Sequence, residues 1–176
     1  MLKDGGFDSI TINPTKAYLE GMKRFGMKGP IVMFNRDPGS SRDGIVLAKE
    51  YGYEVYNYSV DEPNDAERFE QQVEVSKKLH EAGLKVMTAI HPRTALQLKE
   101  QGAGLDWANI VIHEGFGGAY VEQYIAGEAE ATAPLQTWYW QPYIENPTSN
   151  RLFCGFYLWR SGLDGAFPYL WRGMPD

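Results

Sequence analysis

Short apolar runs alternate with longer amphipathic stretches along most of the chain. FDSITI (7–12), IVMFN (31–35), YEVYNYSV (53–60), KVMTAI (85–90), ANIVIH (108–113) and LQTWYW (135–140) are rich in β-branched and aromatic residues, as strands are. Between them lie helix-like segments: TKAYLEGMKRFG (15–26), a shorter one near 43–51, a long one over about 64–82, TALQLKEQG (94–102) and GGAYVEQYIAGEAEA (117–131), the last weakened by Gly127. In the long segment Ala66, Phe69 and Val73 share one face, and Val75, Leu79 and Ala82 form an adjacent stripe. Gly83 behind them suits the left-handed position that ends a helix.

Strand, helix, strand repeated in this way is the pattern of successive βα units in a parallel sheet. RLFCGFYLWRSG (151–162) has strand-like content, yet Ser149 or Asn150 before it and Gly162 after it resemble helix caps. We assign it as a helix, because a parallel strand at DGAFPYL (164–170) needs a crossover after 135–140. The count is then seven parallel strands and six crossovers in a single domain over 1–176.

Seven strands fall one βα unit short of a (β/α)8 TIM-like barrel. The opening LKDGGFDSI looks like the end of a helix entering a strand, so the expected fold is an incomplete α/β barrel lacking its first βα unit. A doubly wound open sheet is the alternative. It lacks its usual signature, since no G-x-G-x-x-G or P-loop follows any strand, and GFGG (115–118) is too short and has no lysine.

Composition narrows the partners. The formal charge of −6, without a Lys/Arg-rich run, argues against a nucleic-acid backbone or an anionic membrane surface and favours a neutral ligand. No window approaches the ~20 apolar residues of a membrane-spanning helix. MLKDGGFDSI lacks the basic and then apolar pattern of a signal peptide, so an export signal, if the protein has one, lies outside this chain. Cys154 is the sole cysteine, which rules out an internal disulfide and a multi-cysteine metal site and leaves the compartment open. Of the five tryptophans, all but one fall in 138–171. Crowded aromatics are ordinarily core, but several at strand ends can also form a sugar-stacking platform.

The candidate chemistry begins at YSVDEPNDAERF (58–69), where Asp61 and Glu62 stand side by side between a strand and a helix. Acids at such a place ordinarily serve the helix N-terminus and its dipole. Here Asn64 with Glu67 already has the spacing of a capping box, and Pro63 biases Glu62 toward extended backbone. Both acids are therefore expected at the C-terminal end of strand 53–60, the rim on which a barrel builds its active site. Counting strands onward brings His91, then His113 and Glu114, then Tyr139, Trp140, Gln141 and Tyr143, then Trp171 to the same rim. Each could equally be an ordinary loop residue.

Adjacent carboxylates diverge, so they seldom face each other across a glycosidic bond as an acid and nucleophile ~5 to 5.5 Å apart must. They can act together when the nucleophile is the substrate's own 2-acetamido oxygen. Asp61 would then orient the amide and stabilise the oxazolinium charge, and Glu62 would protonate the leaving oxygen and later activate water.

The run V-D-E-P (60–63) after a Tyr-rich strand, followed by an amphipathic helix and G-L-K-V (83–86), resembles the catalytic domain of glycoside hydrolase family 123 and its largely uncharacterised relatives. The tail R-L-F-C-G-F-Y-L-W-R-S-G-L-D-G-A-F-P-Y (151–169) is similar to the pattern that closes those barrels, and the likeness covers about 53–171. The resemblance implies a (β/α)8 barrel, a substrate-assisted N-acetyl-β-hexosaminidase preferring N-acetylgalactosamine, Asp61 and Glu62 as the catalytic pair, and no metal or other cofactor. It does not assign the remaining sugar contacts. Tyr139, Trp140, Tyr143 and Trp171 are candidates by strand-end position, alongside His91, His113 and Glu114. Against the family, the sequence is expected to be N-terminally truncated, which would account for the first barrel unit and the upstream β-sandwich domain that the resemblance leaves unmatched.

Three other readings compete. Glu62 could pair with Glu114 as acid and nucleophile on a simple 2-hydroxy glycoside. His91, His113 and Asp61 could hold a catalytic zinc, although no H-x-H pair supports this. The rim could also bind a carbohydrate or glycoconjugate without turning it over.

Overall fold

A computed structural model describes residues 10–11, 13–40, 42–111, 132–139, 148, 151–161 and 163–166. In chain order they form β1 (Ile10–Thr11), α1 (Lys16–Arg24), β2 (Ile31–Phe34), α2 (Arg42–Glu50), β3 (Val55–Tyr58), α3 (Ala66–Glu81), β4 (Lys85–Ile90), α4 (Pro92–Glu100), β5 (Trp107–Val111) and β6 (Leu135–Tyr139). A π-helical stretch, Leu152–Tyr157, then runs into α5 (Leu158–Ser161) and β7 (Gly165–Ala166). The helix expected at 117–131 lies outside the described residues.

All seven strands are parallel and stand in the order β1-β2-β3-β4-β5-β6-β7. Right-handed crossovers that always step in one direction deliver their helices to one face, and the sheet curls about the other. Two apolar clusters fill the helix side. Leu19, Met22, Ile31, Met33, Ile45 and Val55 pack under α1 and α2, and Val75, Leu79, Val86, Ile90, Leu98 and Ile110 pack under α3 and α4. The inner face carries Val32, Tyr56, Tyr58, Met87, Ala89, Trp107 and Val111. Burial on both faces explains why β3 and β5 are buried at every position rather than at alternate ones.

The barrel expectation is overturned: the sheet is open and curled, and it does not close. Among the described residues β1 bonds only β2 and β7 bonds only β6, each over two register pairs. Closure requires the first and last strands to pair with a matched tilt and stagger, which two-residue edges on opposite sides of the sheet do not supply here. The doubly wound alternative also fails, because the strand order never reverses and the sheet has no topological switch point.

Element boundaries follow local chemistry. Thr15 caps α1, its hydroxyl accepting from the Tyr18 amide, and Pro92 occupies the first turn of α4, where its missing N–H costs nothing. Gly83 takes φ 70° just past α3. The cap of α3 differs from the capping box expected at Asn64 and Glu67. It is Asp65, whose carboxylate accepts from the Arg68 amide at 2.8 Å. The buried stripe of α3 also differs from the expected one, since it includes two polar residues, Gln72 and Ser76, besides Val75 and Leu79.

Candidate functional site

The segment linking β3 to α3 carries the acidic pair, and it is held in an unusual way. Tyr58 pairs with Met87, and the Ser59 amide donates to the Met87 carbonyl, extending the ladder beyond β3. If that register continued, the Asp61 amide would donate to the Ala89 carbonyl. The Glu62 amide does so instead, at 3.1 Å, so one extra residue has been taken up, as in a bulge. Bulges bend a strand and re-aim its side chains, and they recur beside active sites.

The peptide groups displaced by this insertion are satisfied by buried side chains. Gln72, fully buried on α3, accepts with Oε1 from the Val60 amide at 2.9 Å and from the Ser59 hydroxyl at 2.8 Å, and its Nε2 donates to Ser76 Oγ at 2.7 Å. On the other side the Thr88 hydroxyl donates to the Val60 carbonyl at 2.5 Å. Buried backbone groups left without partners would each cost about 1–3 kcal/mol, so these two side chains are what makes the irregular backbone tenable.

Glu62 itself has φ 41°, the one left-handed non-glycine among the described residues. Pro63 was expected to bias it toward extended backbone. The fold overrides that bias: the Glu62 amide is anchored to Ala89, and its carbonyl accepts from the Asn64 amide at 2.7 Å in a tight turn around buried Pro63. Backbone held in a sparsely populated region costs on the order of 1–3 kcal/mol and gathers at functional sites.

Asp61 is exposed and Glu62 half-buried. The Tyr58 hydroxyl donates to the Asp61 carboxylate, and the Tyr58 ring packs against Phe34 with centroids 5.0 Å apart. Next to them the loop after β2 is tied down by Asn35, whose side chain accepts from the Asp37 amide and the Ser40 hydroxyl and donates to Asn57. Arg36 Nε donates to the Ser59 carbonyl, and Asp37 pairs with Lys78 of α3 at 2.9 Å. The exposed acid thus stands on a rim braced from both sides.

His91 follows β4 at the same end of the sheet. It is half-buried, occupies the cap position of α4 with extended backbone, and makes no side-chain cap bond. Tyr139 ends β6, and nothing is described of its side chain. His113, Glu114, Trp140, Tyr143 and Trp171 lie outside the described residues. Asp61, Glu62, His91 and the backbone of Tyr139 are therefore at the expected strand ends, and the other candidates bear no structural assignment. Among the described residues no three His, Cys, Asp or Glu side chains gather as metal ligands, and His113, which the zinc reading needs, is not among those residues.

Composition and spacing did not single out Phe34, Tyr58, Gln72 or Thr88. Strand parity could have found the first two, since Phe34 and Tyr58 end paired strands in one register. A cleft of about 430 Å³ lies elsewhere, on the helix side between α2 and the end of α3, and is lined by Arg42, Ile45, Val46, Lys49, Ala82 and Leu84 among others. Neither acid contributes to it.

At the opposite end of the strands, Lys85 pairs with Glu54, which also accepts from the Tyr56 hydroxyl. The Glu54 hydrogen bond raises the Lys85 pKa above its ordinary value, and burial followed by the Glu54 charge raises that of Tyr56. Burial likewise raises Tyr53. No helix among the described residues is long and apolar enough to cross a membrane. No family model matches the chain, and no curated protein does.

Proposed function

We propose that the protein is a glycoside hydrolase of the substrate-assisted retaining kind, acting on N-acetyl-β-hexosaminides with N-acetylgalactosaminides as the first substrates to try. The observation that carries the reading is the Asp61–Glu62 pair on a bulged segment clamped by buried side chains, with Glu62 left-handed and Asp61 held by Tyr58. The likeness of V-D-E-P and the tail to glycoside hydrolase family 123 supports it.

In the first step the acetamido carbonyl oxygen attacks the anomeric carbon while the glycosidic C–O bond breaks, and Glu62 gives its proton to the departing oxygen. Asp61 accepts from the acetamido N–H and balances the positive charge of the oxazolinium. Water then attacks the anomeric carbon from the vacated side, Glu62 takes its proton, and the ring opens with retention. Tyr58 steadies Asp61, because a carboxylate that already accepts one hydrogen bond has fewer orientations to lose on binding. His91 and the aromatic residues Tyr139, Trp140, Tyr143 and Trp171, with His113 and Glu114, remain candidate sugar contacts.

The test is hydrolysis of two aryl β-galactosides, one carrying a 2-acetamido group and one a 2-hydroxyl. Cleavage confined to the acetamido sugar, lost by orders of magnitude in Asp61→Asn and Glu62→Gln while both variants stay folded, is the expected outcome. Cleavage of the hydroxyl sugar would instead point to Glu62 with Glu114 as the working pair. Tight binding without turnover of either would point to a carbohydrate-binding protein.

A further inference from the structure

Phe34 ends β2 with 70% of its surface exposed, although Val32, on the same inner face, is fully buried. Leaving most of a phenyl ring in water forgoes much of the stabilisation that burial would give. Exposed aromatics occur elsewhere on the chain, Trp159 among them, but Phe34 differs in what adjoins it. Its ring is tilted 56° against Tyr58, and Tyr58 donates to Asp61. An open apolar face, a buried aromatic ring and a carboxylate thus follow one another across two neighbouring strands.

A pyranose has a matching make-up. One face presents a patch of C–H groups, and its edge carries hydroxyls or an acetamido group that need hydrogen-bond partners. A purely apolar ligand would leave the Asp61 carboxylate facing it without compensation, and a purely polar one would gain nothing from the ring. We infer that Phe34 is a substrate-binding residue whose exposed ring stacks on the C–H face of a pyranoside while the polar edge of that sugar reaches Asp61. The inference rests on the glycosidase reading and adds to it Phe34, which is not among the strand-end candidates named from the sequence.

The probe is methyl N-acetyl-β-galactosaminide, which has a poor leaving group, titrated against the chain and its Phe34→Ala and Phe34→Trp variants by ligand-observed NMR. Aryl glycoside hydrolysis is measured in parallel. Phe34→Ala should raise Kd about tenfold, as loss of a small stacked apolar area would, and Phe34→Trp should restore it. Magnetisation should pass from aromatic protons to the sugar's C–H face. Because the side chain is mostly exposed, both variants should melt as the parent does.

Equal affinity in the parent and Phe34→Ala, with hydrolysis intact, would remove Phe34 from the site and leave the hydrolase reading standing. A tenfold loss of affinity with no hydrolysis by any of the three proteins would uphold the Phe34 contact and sink the hydrolase reading. Absence of sugar binding by the parent would overturn both.

Discussion

At φ 41° Glu62 occupies a region in which an L-residue is disfavoured by about 1–2 kcal/mol, and only its neighbours keep it there. Glu62→Gly should therefore be tolerated in stability, whereas Glu62→Val, whose branched Cβ fits this region poorly, should be less stable than Glu62→Gly by about 1–2 kcal/mol in urea denaturation. Equal stability of the two would mean that the turn relaxes readily and stores no strain. The neighbouring Tyr58→Phe keeps the ring packed on Phe34 and removes only the hydroxyl that donates to Asp61. It should lower kcat of the proposed reaction about tenfold or more, because Asp61 would have to be ordered at each turnover, with little change in melting temperature. That residue pair was half legible beforehand: V-D-E-P announced the acids, but their partner three residues upstream reads as one more strand aromatic.

The link from β3 to α3 shows how an element borrows its irregular backbone from its neighbours. Gln72 sits where α3 should be apolar, and its amide satisfies the Val60 N–H, the Ser59 hydroxyl and the Ser76 hydroxyl at once. Gln72→Leu keeps much of the volume and strands the Val60 N–H, while the Ser59 hydroxyl retains the Met87 carbonyl, so it should destabilise by about 1–3 kcal/mol and lower activity beyond what lost stability explains. Chemical denaturation together with rates measured well below the transition separates the two effects. Asp65→Ala, by contrast, should cost about 1 kcal/mol and leave rates unchanged, since it removes a helix cap and nothing at the rim. In the sequence Gln72 shares the helical spacing of Val75 and Leu79, but nothing marks its amide as needed there, because periodicity reports which positions face the core and not which polar side chain the core requires.

Across the whole molecule the two ends of the sheet differ in character. The rim end holds the strained backbone of Glu62 and the exposed Asp61, and the other end is pinned by Glu54, Lys85 and Tyr56. Lys85 and Tyr56 are both raised above their ordinary values of 10.5 and 10.0. A group whose folded-state pKa lies above its unfolded value stabilises fully below the unfolded value and ceases to do so as pH rises through the folded one. Stability should thus fall as pH climbs above about 10, and the gap between the parent and Lys85→Met should narrow over the same range. Urea midpoints measured from neutral to alkaline pH give the answer, and a gap independent of pH would show that the Lys85 pair contributes through packing alone.

What the sequence determined by itself was local: β-branched runs and the glycine that ends the long helix at Gly83, hence strands such as Lys85–Ile90 found at the expected bounds, seven parallel strands, and an acidic pair at a strand end. Those features depend on each residue and its near neighbours. Only the tertiary structure decided that the sheet stays open, that one extra residue is taken up before Glu62, and that Phe34 stands exposed beside Tyr58 and Asp61. Closure depends on whether two edge strands distant in the chain meet in register, and the bulge depends on Gln72 and Thr88 arriving from other elements. Such contacts leave no periodic trace in the order of residues, because they are settled by how elements pack and not by how each one forms.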